Sequence, residues 1–496
     1  MCIAQGMILL DNTIVNVALP SIQRELGVTP SNLEWIINAY VLALASLILP
    51  GGTLGDRFGR KRFFLIGLAI FTVFSAACAL SRDDPQLIVF RALQGVGAAA
   101  MAPLTLSILV DAFPPERRTT AIGIWAGVSG LGFGAGPILG GLLIELFDWS
   151  AIFWVNIPLG VACFLLTAAA VQESRNPGAR RLDPLGTLLA SGGLFLVTFA
   201  LIETNAHPWG SGYTLSLLGA GVAALVCFVL HERRVEHPMV PLGLFRSPQF
   251  SSANVVYALA YLALAGMFFF VTLYFQNVKG WSALQTGLSW IPLNLPFLLV
   301  SPFAGRFVRR FGTSWVSGGG ILLGAVGTIG LAQLDVGSSY HAAWPCYLLI
   351  GFGYGFAVPA VSSAAMGAVP AAQSGVGSGI LNSSRQVGAA VGLAVLGSIS
   401  HAIVSRSWQL HIEALPGDVR AQAASLFPSV AGGEGRAIGA LIGPEAASMA
   451  FESFVSGLHV ALWVAGAAMV LGAAIAFVGL RGPRAAASAP VTGDPG

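Results

Sequence analysis

Fourteen apolar stretches, each closed by a short loop carrying charge, proline or glycine, leave this chain of 496 residues few ways to fold. A helix needs about 20 apolar residues to cross the hydrocarbon core. There every backbone N–H and C=O must be bonded within its own segment. The stretches are 1–20, 33–54, 63–81, 87–110, 119–144, 150–171, 184–203, 212–231, 250–275, 284–305, 314–334, 341–366, 373–403 and 453–480. Only 9% of the residues are charged, against about 25% in a soluble domain. The chain therefore reads as an all-α polytopic membrane protein with 14 transmembrane helices.

The charges fix its orientation, because short Lys/Arg-rich loops stay cytoplasmic. If the first helix runs outward, 17 cations fall in the inner loops and tail, 6 in the outer loops, and Arg91 and Arg385 within spans. Both termini are thus expected in the cytoplasm. No basic leader or small-residue cleavage site precedes the first span, so no cleavable signal is expected. That span is short at its cytoplasmic end, which places the start codon in doubt. The five cysteines stand singly with no metal spacing and read as packing residues.

An internal repeat divides the chain. Gly95, Gly97, Pro103, Pro114 and Gly123 recur as Gly351, Gly353, Pro359, Pro370 and Gly379, every one offset by 256. Residues 1–171 and 250–480 then form two six-helix halves in parallel, a transporter arrangement. Residues 172–249 form a linker with two extra spans, 404–452 a long, partly helical outer loop, and 481–496 a disordered cytoplasmic tail.

Polar residues inside the spans carry the chemistry, since an ionisable group at membrane depth is expensive and marks function by default. In the first span, 10–20 read L-D-N-T-I-V-N-V-A-L-P, and Gln5, Asn12, Asn16 and Gln23 share one narrow stripe at about 100° per residue. Asp11 lies off that stripe, toward a neighbouring helix, and is the candidate proton carrier. Arg91 opens R-A-L-Q-G-V-G in the fourth span. Arginine does not deprotonate in proteins, so its role is to hold Asp11, or an anionic group of a substrate, in the charged state. Asn12, Asn16, Asn38, Tyr40, Gln94, Asn382, Arg385 and Gln386 are candidates for the wall of a substrate cavity. Glu203, with Asn205 and His207, reads as an interface group, and His459 as packing.

Two further patterns point to movement. Residues 52–62 read G-T-L-G-D-R-F-G-R-K-R, a glycine-framed basic turn. Gly52 and Gly59 permit close approach and a turn, and Asp56 can accept from a helix N-terminus. Asp111 can share Arg57 or Arg60. Together they form a candidate conformational latch. A weaker copy lies at an offset of 253, where Arg309 stands in place of Asp56. The fifth span carries Gly132, Gly136, Pro137, Gly140 and Gly141, a spacing that lets two backbones approach and bends the helix.

These motifs, with F-W-V-N-I-P-L-G at 153–160, resemble the fourteen-spanner drug:proton antiporter family of the major facilitator superfamily. The resemblance covers almost the whole chain. It implies the major facilitator fold, proton coupling through Asp11 and Arg91, and a fifth-span motif associated with exporters. The expected function is export of a hydrophobic, cationic or amphiphilic compound, a drug or an antibiotic, from the cytoplasm by alternating access. The proton gradient is the energy source and no cofactor is implied. The expected setting is a bacterial cell membrane and the expected state a monomer. No P-loop, nucleophile elbow or paired catalytic acids occur, which argues against an enzyme or an ATP-driven pump, and no aromatic-interleaved basic patch suggests nucleic acid. The rivals are a proton-coupled uptake permease on the same fold and a non-transporting membrane sensor.

Overall fold

The structure is a computed structural model, and it describes residues 1–26, 30–175, 183–203, 207, 210–235, 238–413 and 417–481. Fourteen of its helices are long and apolar enough to cross a membrane. In order, the spans are Cys2–Leu26, Pro30–Phe58, Arg60–Ala79, Asp84–Ala112, Pro115–Leu146, Ala151–Trp154 with Asn156–Ala170, Pro184–Ile202, Gly212–Glu232, Pro248–Leu273, Ala283–Ser289 with Ile291–Val300 and Ala304–Phe311, Thr313–Leu331, Tyr340–Gly367, Ser374–Ile412 and Pro444–Gly479. The tenth is segmented beside Pro292 and at Pro302, each of which lacks a backbone donor. No strand occurs among the described residues.

The glycines of the 256-residue repeat have a structural cause. The fourth span uses two nearly opposite faces to meet the second and third spans. A Cβ on Gly95 would lie 2.5 Å from the Tyr40 carbonyl, and one on Gly97 would lie 2.5 Å from the Phe71 nitrogen. The twelfth span repeats this arrangement. A Cβ on Gly351 would strike the Leu293 carbonyl of the tenth span, and one on Gly353 would lie 2.5 Å from the Gly320 carbonyl of the eleventh. Without side chains at these crossings the backbones pack directly, which drives helix association where lipid is as apolar as leucine.

The extra pair, the seventh and eighth spans, packs against itself and lies alongside the second and thirteenth. Between the halves, the second span meets the thirteenth and the fifth meets the tenth and twelfth. One apolar cluster crosses this seam, with Leu106 and Trp125 joined to Phe297, Val361 and Ile380.

Segment 404–452, expected as a long, partly helical outer loop, is shortened by the flanking spans. The thirteenth span continues to Ile412 and the fourteenth begins at Pro444. Charges at Arg406, Glu445 and Glu452 suggest a loop there, but helices that protrude beyond the hydrocarbon can carry them. The added turns bury Val404, Trp408, Ala446 and Ala450 against Ala423, Val430 and Ile438 of the short connecting helices. Of the expected tail, only Arg481 lies within the described residues, and Asn205 lies outside them.

Replacing Gly97 or Gly353 by valine is expected to cost about 1–3 kcal/mol through overpacking. Each variant should unfold at a lower temperature than the parent in detergent; unchanged melting would show that these spans can part freely.

Candidate functional site

The first span turns Asp11 away from its polar stripe and into the first half, where it has no exposed surface. Its Oδ2 pairs with Arg91 Nη1 at 2.5 Å. Its Oδ1 accepts from Gln94 Nε2 and from Asn156 Nδ2, both at 2.9 Å. Arg91 Nη1 also donates to Gln94 Oε1 at 2.7 Å and Arg91 Nε to the Ile36 carbonyl at 3.2 Å. The Tyr40 ring lies 4.3 Å from the guanidinium and Phe153 lies 5.8 Å away. Ser75 Oγ donates to the Phe153 carbonyl at 2.9 Å and accepts from Asn156 Nδ2 at 3.1 Å. Five spans thus converge on one carboxylate.

Each group that Asp11 meets is a donor, and an ionised carboxylate only accepts. A proton on Asp11 would turn an O–H toward N–H groups, so protonation requires these contacts to rearrange. Arg91 Nη2 and Asn156 Oδ1 are buried without partners among the described residues. The Oδ1 of Asn156 is the acceptor such a rearrangement could use.

Sequence reasoning did not assign roles to Asn156 and Ser75. Asn156 stands inside F-W-V-N-I-P-L-G, where an amide amid apolar residues was the available signal; Ser75 offered none. Tyr40 and Gln94, expected on a cavity wall, instead have no exposed surface and belong to this network. The Tyr40 hydroxyl donates to the Ile8 carbonyl at 3.3 Å.

The stripe itself is graded. Gln5 is buried and accepts from Thr105 Oγ1 at 3.2 Å, Asn12 is half-buried, and Asn16 and Gln23 are exposed. Exposure along the stripe therefore rises away from the end bearing the basic turn. Asn38 and Gln386 are half-buried, while Asn382 and Arg385 are buried.

At the basic end, buried Asp56 caps the start of the thirteenth span across the seam. Its oxygens accept from the Gly375 and Val376 nitrogens at 3.0 and 2.9 Å. Arg60 Nε pairs with Asp56 at 2.6 Å, Arg60 Nη2 donates to the Ala371 carbonyl at 2.8 Å, and Arg60 Nη1 lies 3.6 Å from Asp111. A Cβ on Gly52 would strike the Gly375 carbonyl. Ser107 and Ser374 hydroxyls meet at 2.8 Å, as do those of Thr119 and Ser363. Asp111 thus lies beside Arg60; Arg57 instead lies over Phe58, 5.2 Å from its ring. Gly59 takes φ 106°, a left-handed conformation that other residues avoid, as the third span begins. Glu173 then accepts from the Lys61 and Arg62 nitrogens at 3.0 Å, a second cap that the sequence did not reveal.

The fifth span has two glycine faces. Gly132, Gly136 and Gly140 lie against Gly6, Thr13 and Ile14 of the first span, directly behind Asp11, while Gly141 meets nothing within 4 Å. Gly123, Gly127, Gly130 and Gly134 lie against Ser301, Leu298, Phe297 and Asn294 of the tenth span. Pro137 packs near Gly287. One helix thereby connects the carboxylate's span to the opposite half.

Residues 1–393 match the family model of the Major Facilitator Superfamily. The chain belongs to that superfamily. This major facilitator protein is 36% identical to the tetracenomycin C resistance and export protein of Streptomyces glaucescens, over 95% of this chain and 88% of the relative. It is 34% identical to the multidrug resistance protein Stp of Mycobacterium tuberculosis (94% and 88%) and 37% identical to the puromycin resistance protein of Streptomyces alboniger (80% of each). Among solved structures, the human organic anion transporter TETRAN superposes over 96% of this chain and 97% of its own, with a TM-score of 0.64 at 16% identity. The proton:xylose symporter XylE superposes over 95% and 93%, with a TM-score of 0.58 at 13% identity. Both share its fold.

Two tests probe these networks. Removing one partner of a buried ion pair costs about 3–5 kcal/mol. Asp11→Asn and Arg91→Gln should therefore each melt well below the double variant; a double variant no more stable than either single one would contradict the pairing. Asp56→Ala should loosen the seam, so that a cysteine at Ser374 reacts several-fold faster with a membrane-impermeant maleimide applied at the basic end. An unchanged labelling rate would mean the seam holds without Asp56.

Proposed function

We propose that this protein exports a hydrophobic or amphiphilic compound from the cytoplasm in exchange for protons. The observation that carries this reading is the Asp11 carboxylate, enclosed by donors and backed by a glycine-faced helix that also packs on the other half. The named resistance and export relatives support the direction of transport. The basic end lies in the cytoplasm, in accord with the charge of its loops, which puts both termini there in a bacterial cell membrane. The conformation described is then outward-facing.

In the proposed cycle a proton from outside neutralises Asp11 and loosens its hold on Arg91. The first span then shifts against the fifth, and the Asp56 cap on the thirteenth span releases. The cytoplasmic end opens, substrate enters between the halves, and Asp11 loses its proton inward as the donors close on it again. Asn12, Asn16, Asn38, Asn382, Arg385 and Gln386 are the proposed wall of the passage, and Gly52, Asp56, Gly59, Arg60 and Asp111 serve the latch. No cofactor takes part, and one chain suffices.

Asp11→Asn should abolish proton-driven substrate accumulation in inverted vesicles while the protein remains inserted. Undiminished accumulation would remove Asp11 from the mechanism, and substrate movement in the opposite direction would favour an uptake permease.

A further inference from the structure

Three charged side chains lie deep inside apolar spans: Asp11, Arg91 and Arg385. The first two neutralise one another. Arg385, on the thirteenth span, is 4% exposed. Among the described residues every ion pair made by an arginine involves Arg60 or Arg91, so Arg385 has no carboxylate within 4.0 Å. Its guanidinium lies 5.5 Å from the Tyr261 ring, whose neighbour Tyr257 is 5.3 Å away between ring centroids. The thirteenth span that carries it packs on the second and fourth spans of the other half. Arg385 is therefore buried within protein, on a span that lines the seam between the halves, and not on a lipid-facing surface.

An uncompensated guanidinium in a site largely removed from water is unfavourable until an anion joins it. Its planar fork matches a carboxylate bidentately. No acid offsets it: Asp11 has no exposed surface and its oxygens already accept from Arg91, Gln94 and Asn156. A cation between the halves would meet repulsion from Arg385 with no counter-charge of its own. The tyrosine rings offer a flat apolar surface beside the charge.

We propose that the central face takes an aromatic anion with Arg385 as its counter-ion, so that the exported compound is a hydrophobic acid rather than a cation. This inference rests on the reading of the protein as an exporter with its substrate between the halves.

The test is equilibrium dialysis of the full-length protein in nanodiscs with 1-hydroxy-2-naphthoate, its methyl ester, and tetraphenylphosphonium. A hydrogen-bonded charge contact corresponds to about tenfold or more in affinity. The naphthoate should therefore bind at least about tenfold tighter than the ester, and tetraphenylphosphonium weakest. Arg385→Gln should erase the preference of acid over ester, and Arg385→Lys, which keeps the charge, should retain part of it. Thermal unfolding of both variants establishes that they are folded; the acid-over-ester ratio in the parent protein tests the proposal even if Arg385→Gln is not. The proposal is overturned if the naphthoate binds no better than its ester, does not bind saturably, or binds Arg385→Gln as tightly as the parent. Binding is read without a gradient, so failure of proton-driven export in vesicles would be a separate result.

Discussion

A carboxylate and a guanidinium with no contact to water, placed inside an apolar helix bundle, persist only if each is matched. The pair of Asp11 and Arg91 meets that condition with help from Gln94 and Asn156. Such burial contributes little net stability, because desolvation offsets most of the attraction. What it contributes is intolerance of half-measures: neither charge can be altered without rearranging the other. In the proposed cycle, a proton arriving at Asp11 therefore acts on the position of helices rather than on one side chain.

That leverage needs helices that touch through backbone, because long side chains would absorb small displacements. Glycines provide the contact twice over. Within each half they let the fourth and twelfth spans meet two neighbours at once. Between the halves, the fifth span meets the first through one glycine face and the tenth through another. Closely packed elements shift between discrete arrangements instead of deforming continuously. The Asp56 cap adds a polar hold at one end of the same seam, where a helix N-terminus is satisfied only while the halves are together.

Much of this was legible before any tertiary contact was known. Span number and order followed from hydropathy, since hydrocarbon admits no unbonded peptide groups. The repeated glycines were visible because the same close crossing occurs twice. The removal of Asp11 from the polar stripe followed from helical periodicity. Span ends were less legible: Arg406, Glu445 and Glu452 look like loop charges, yet they lie in helices that run to Ile412 and from Pro444. Tyr40 and Gln94 look like cavity residues because polarity at membrane depth does not distinguish a wetted wall from a sealed network. Glu173 sits in a polar loop where many acids would look the same.

Composition and periodicity alone determined that this chain crosses the membrane repeatedly, that a glycine and proline pattern recurs at an offset of 256, and that a few charged groups must find partners inside it. Those conclusions rest on local rules, namely the span of a helix, its turn, and the cost of charge in hydrocarbon. Which partners they find was decided only by the tertiary structure. The hydrogen bonds to Asp11 join residues 80, 83 and 145 positions apart, and those from backbone nitrogens to Asp56 join residues 319 and 320 apart. No local rule reaches that far, because such contacts exist only once the packing of the helices has brought distant turns together.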